Sequence, residues 1–137
     1  MGKRQLLYSG AAVVGLAVGL AAWPATRPSA QQAPRVAVQI DGDDIGGVVT
    51  SKHGPEAGVW VIAETTELGT RFAKIAVTDD HGRYVIPDLP PAAYSVWVRG
   101  YGLVDSPKVK STRGQILNLT AVPAPNAAAA AEYYPAI

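Results

Sequence analysis

Between residues 36 and 122 the chain is cut into short runs rich in β-branched residues, and Gly, Pro or Asp stands in almost every interval. The runs are VAVQI (36–40), IGGVVTS (45–51), VWVIAETT (59–66), FAKIAVT (72–78), RYVI (83–86), AYSVWVRG (93–100), PKVKST (107–112) and QILNLTAV (115–122). Runs of this length, at a spacing of roughly ten residues, are too short for helices and suit strands joined by tight turns. The pattern predicts an all-β antiparallel sandwich. No amphipathic stripe of helical period interrupts it. AAAAAE (127–132) favours helix by composition, but it is short and lies between Pro125 and Pro135.

The two ends read differently. Lys3 and Arg4 precede the uncharged run LLYSGAAVVGLAVGLAAW (6–23), and the polar PATRPSAQQ follows, with small Ser29 and Ala30. This order predicts a signal peptide over 1–30, cut near Ala30. The alternative is an uncleaved N-terminal anchor helix, since the run is close to the roughly 18 residues that span a bilayer. Either way the chain is expected to be exported, to the periplasm or the exterior, with membrane contact only if the segment is retained. Residues 31–43 read as a polar linker with a leading strand, 44–123 as the sandwich domain, and 124–137 as a Pro/Ala-rich linker or the start of a following domain.

Charge and cysteine narrow the function classes. The formal charge of the 137-residue chain is +1, but Lys3, Arg4 and Arg27 lie in the leader. Without them nine basic residues face eleven acidic ones, a charge of −2. Such a domain has no electrostatic reason to bind nucleic acid or an anionic membrane. There is no cysteine, so neither a disulfide nor a lipidated cysteine is available and the core alone must hold the fold.

The segments IGGVVTSKHGPEAGVWVIAETT and VTDDHGRYVIPDLPPAAYSVWVRGYG resemble the carboxypeptidase regulatory-like domain. Gly47, Val49, Gly54, Ala57, Gly58, Val59, Val61, Thr78, Asp79, Gly82, Tyr84, Leu89, Pro90, Tyr94 and Val96 carry the likeness, which spans about 44–123. The resemblance implies a transthyretin-like (prealbumin-like) seven-stranded antiparallel Greek-key sandwich, and it is nearly silent on activity. The hydrolase branch of the transthyretin-like group uses paired histidines, an arginine and a particular C-terminal tail. That set is missing here, so that activity is not carried over and the chain is expected to be non-enzymatic, with an enzyme of the transthyretin-like group as the most distant reading.

The most suggestive polar motif is Asp79-Asp80-His81-Gly82. It joins two strand-like runs, where an Asp accepts backbone hydrogen bonds and Gly82 supplies a positive φ. A catalytic Asp–His pair needs a pocket and a third group, which a hairpin tip lacks. Asp79, Asp80 and Gly82 are therefore read as a structural turn. His53 and His81 are the two histidines, too few for a zinc site, and Asp41-Gly42-Asp43-Asp44 lacks the later ligands of a calcium loop. Asn118-Leu119-Thr120 is a formal glycosylation acceptor inside a strand-like run. No metal or cofactor is expected.

The remaining candidates are aromatic. If Val59, Val61 and Ala63 point inward with Tyr94, Val96 and Val98, then Trp60, Ile62 and Glu64 share the outer face with Ser95, Trp97 and Arg99. On neighbouring strands, Trp60 and Trp97 would form one external patch, with Arg99 as a rim or cation–π group and Tyr101 in the next loop. Such a patch suits an adjacent domain or partner protein, which makes the chain a non-catalytic spacer or docking module. A second reading is stacking on a polysaccharide, and a third is that both Trp are core.

Overall fold

The computed structural model describes residues 37–133, all within the compact unit Arg35–Ile137. The expected signal or anchor segment and residues 134–137 lie outside the described residues. Among those described, no helix is long and apolar enough to cross a membrane. The strands are β1 (Ile45–Ser51), β2 (Gly54–Pro55), β3 (Trp60–Thr65), β4 (Phe72–Val77), β5 (Arg83–Ile86) and β6 (Ala93–Arg99). They are followed by β7 (Leu103–Val104), β8 (Val109–Thr112), β9 (Gln115–Ile116), β10 (Leu119–Thr120) and β11 (Val122–Pro123), and then by helix α1 (Ala127–Tyr133).

The molecule is mostly β, in several sheets. One is four-stranded and antiparallel, in the order β4-β3-β6-β8. The other large sheet is built around β1. Antiparallel β5 and β2 lie along one side of it, and β9 and β10 run parallel to it on the other. A small ribbon pairs β7 with β11. The expectation of a wholly antiparallel arrangement thus gives way to parallel pairing where the chain returns to β1.

Alternation places the core between the sheets. Val61 and Ala63 from β3, Tyr94, Val96 and Val98 from β6, Ile45 and Val49 from β1, and Tyr84 and Ile86 from β5 are buried together. Each large aliphatic side chain removed from water in this way stabilises the fold by about 1.5–3 kcal/mol. Leu89, Leu103 and Leu119 close the ends of the cluster.

Two predicted strands differ. Residues 37–40 of VAVQI make no ladder. Instead Val38 and Ile40 fill the space beside Gly46, where a Cβ would crowd both side chains. The run QILNLTAV is broken into β9, β10 and the start of β11, because the chain bulges at Leu117 and Asn118. Leu117 N donates to Gly46 O at 2.7 Å, and the Asn118 side-chain oxygen, instead of a backbone carbonyl, accepts from Val48 N at 3.0 Å. The bulge presses so close to β1 that a Cβ on Gly47 would overlap the Leu117 carbonyl. Asn118 therefore lies at this interruption and not inside a strand.

Candidate functional site

Asp79 is fully engaged at the turn between β4 and β5. Its Oδ1 accepts from His81 N and Arg83 N, both at 2.9 Å, and its Oδ2 accepts from Arg83 Nε at 2.7 Å. The Arg83 side chain, followed by the Arg83 amide, holds the Asp79 carboxyl at about 2, below its ordinary 3.8. A carboxylate stabilised in this way is a poor general base. Gly82 donates to Asp79 O and has φ 74°, and a Cβ there would stand 2.6 Å from Val49 O. Asp80 and His81 are exposed at the tip. In the Asp41–Asp44 segment, Asp44 accepts from Asp41 N and Asp88 N, which makes it a loop-closing residue. Among the described residues no three His, Cys, Asp or Glu side chains are grouped to hold a metal.

The outer face of the β4-β3-β6-β8 sheet carries the aromatic candidates. Directly paired residues share a face, so the register gives three rows. Val77, Trp60 and Arg99 form one, and Ile75, Ile62 and Trp97 the next. Ala73, Glu64, Ser95 and Lys110 form the third. Trp60, Trp97 and Arg99 are thus brought together on the outer side, with the two indoles on neighbouring strands and one row apart.

Their exposure differs from expectation. Trp60 is 37% exposed, whereas Trp97 is only 6% exposed and packs beside the equally covered Ile62. The cover is Lys108, whose ammonium lies 4.1 Å from the Trp97 ring centroid. Glu64 anchors that ammonium at 2.6 Å and also binds Arg71 at 2.9 Å. These two cations, Lys108 first, lower the Glu64 carboxyl from its ordinary value. The cation–π partner of Trp97 is therefore Lys108 and not Arg99. Arg99 forms a bidentate pair with Asp105 at 2.8 and 2.6 Å, which raises its own pKa. Tyr101 is 87% exposed and lines a groove of about 420 Å³ with Gly102 and with Ala127 and Ala130 of α1.

Two residues that sequence reasoning passed over complete the face. Ile75 is 53% and Val77 57% exposed, beside Ile62 and Trp60 in the register. Their signal was the alternation of FAKIAVT, but apolar residues on both phases of that run hid which face was outward. The result is an apolar strip rimmed by charges already satisfied by one another: Lys108–Glu64–Arg71 on one flank and Arg99–Asp105 on the other. Such a strip can bury area against another apolar surface, and it leaves few polar groups uncommitted for a hydroxyl-rich ligand.

No protein-family profile matches the chain, and no curated protein matches it. Among solved structures it is similar to a protein from Pseudomonas aeruginosa proposed to bind carbohydrate. The two are 16% identical with a TM-score of 0.39, and the match covers 62% of this chain and 92% of that one.

Proposed function

We propose that this chain is an exported, non-catalytic β-sandwich accessory module of the carboxypeptidase regulatory-like kind, which docks a larger secreted or periplasmic protein through the outer face of its four-stranded sheet. The exposed aliphatic pair Ile75 and Val77 beside Trp60 carries this reading. An apolar centre with a polar, ion-paired rim is the anatomy of protein–protein contacts. The one carboxylate–histidine motif supports the non-catalytic part, because Asp79 is spent on the turn.

Carbohydrate binding is the second reading, favoured by the exposed portions of Trp60 and Tyr101. Against it, the ring face of Trp97 that would stack on a pyranose lies under Lys108. Affinity electrophoresis of residues 35–137 through polysaccharide gels separates the two. Retardation by one glycan, lost in Trp60→Ala, overturns docking. Mobility unchanged in every gel, together with a discrete adduct from a photo-crosslinker at Val77 of the full chain in its native cells and none from Lys52, supports docking.

A further inference from the structure

We propose that the outer edge of β4 pairs with the same edge of a second copy of this chain, antiparallel about a twofold axis at Ile75, so that two four-stranded sheets become one. β4 ends its sheet, and among the described residues no strand pairs with its far side. Its hydrogen-bonding phase is fixed at one end, where Thr78 N donates to Val59 O at 2.9 Å. Alternation from that point turns the backbone groups of Ala76, Lys74 and Phe72 toward β3 and those of Val77, Ile75 and Ala73 toward the open edge. The same three residues carry the exposed side chains of the strand. An edge of this length with apolar side chains is a template for another strand.

Natural edges are often blunted by a lysine, and β4 has Lys74. Its ammonium, however, is tied to Pro87 O at 2.6 Å, and its register partner is the buried Ala63, which places it on the core side of the sheet. It is therefore held off the edge.

The choice of a second copy as occupant rests on self-complementarity. With Ile75 opposite Ile75, Ala73 falls opposite Val77, so the residues with open backbone groups meet one another throughout. On the outer face a small side chain then opposes a larger one. The ends match by charge as well. Arg71, 76% exposed in its side chain, precedes the strand, and Asp79 and the exposed Asp80 follow it. Asp79 stays tied to Arg83 and Arg71 keeps Glu64, but antiparallel pairing in this register brings Arg71 of one copy beside the exposed Asp80 end of the other, whereas a parallel arrangement would bring the two Arg71 side chains together. The interface is isologous and closes at two copies.

The proposal goes beyond the docking reading, because it uses the backbone edge of the strand while docking uses the side-chain face. The two readings are told apart by the mass of the Val77 cross-link: an adduct of two copies belongs to the dimer, and one with a different polypeptide to docking, so that sedimentation and the second adduct can fail independently. The test is sedimentation velocity on residues 35–137, the compact unit that holds the whole core, from micromolar to millimolar concentration. Wild type is expected to pass from monomer to dimer. Ile75→Lys and Ile75→Glu, which set like charges directly opposite, are each expected to remain monomeric, and an equimolar mixture of the two to dimerise. The mixture controls for folding, since only folded copies can pair. A wild type that stays monomeric at millimolar concentration overturns the proposal. So does dimerisation of each single variant at wild-type strength, or a mixture that stays monomeric where wild type dimerises.

Discussion

The phenolic hydroxyl of Tyr84 donates to the carbonyl of Leu117 at 2.6 Å, across the strand that lies between them. Tyr84 stands opposite Gly47 in the β1–β5 register, and a side chain on Gly47 would collide with that same carbonyl. The ring is 3% exposed, and burial raises the phenol above its ordinary range. One hydrogen bond thus ties β5 to the bulge of the returning chain, over a glycine that lets both approach. Tyr84→Phe is expected to cost about 1 kcal/mol by urea unfolding, the net value of one such bond. Gly47→Ala is expected to cost as much or more, about 1–3 kcal/mol, because backbone must move to admit the methyl. A Gly47→Ala protein as stable as wild type would show that the bulge is free to relax.

Trp97 and Lys108 make the second prediction. In residues 35–137 Trp60 and Trp97 are the two fluorescent indoles, so Trp60→Phe reports Trp97 alone. Its emission should be blue and poorly quenched by acrylamide. Adding Lys108→Ala removes the cover and should raise quenching, with a stability loss of about 0.5–1 kcal/mol for the cation–π contact. The Trp97 Nε1 is buried without an acceptor, so Trp97→Phe sacrifices packing area but no hydrogen bond. Quenching unaffected by Lys108→Ala would mean that Ile62 and its neighbours, and not Lys108, shield the indole.

These two sites mark what the sequence reveals and what it hides. Alternation in VWVIA and YSVWVR was enough to sort inward from outward residues, because β-branched and aromatic residues hold one phase over several positions. Whether an outward residue is covered depends on a side chain arriving from elsewhere, and Lys108 announces nothing by its spacing from Trp97. In FAKIAVT apolar residues occupy both phases, so Ile75 and Val77 were not distinguishable from core. The VAVQI run has strand composition, yet it meets Gly46 with side chains alone, and the break at Leu117 and Asn118 exists only because Gly47 lies opposite. Local periodicity was legible. The pairings that decide exposure were not.

The C-terminal helix gives a prediction that should stay local. Asn126 caps α1, its Oδ1 accepting from Ala129 N at 2.9 Å. Asn126→Ala removes about 1 kcal/mol of helix stability. None of the described α1 side chains is buried, so the loss should not reach the core. Hydrogen exchange at Ala129 and Ala130 is expected to accelerate while the urea midpoint of the domain stays fixed. A shifted midpoint would mean that α1 folds as one unit with the sheets.

Acid sensitivity follows from Asp79. Its carboxyl sits at about 2 in the folded chain against an ordinary 3.8, with the Arg83 side chain as the leading cause. A folded-state value below the unfolded one contributes stability that is complete above the unfolded pKa and disappears as pH falls through the folded one. The window is therefore from about pH 4 down to about pH 2, and Glu64, lowered by Lys108 and Arg71, acts in the same direction. Urea midpoints measured across that range should fall with pH in wild type and fall less steeply in Asp79→Asn, which keeps an acceptor for the His81 and Arg83 amides but has no charge to titrate. Arg83→Leu should return the Asp79 carboxyl toward its ordinary value in an NMR titration. If Asp79→Asn retains the full wild-type slope, the acid loss arises at other carboxylates and the turn is held by its amide bonds alone.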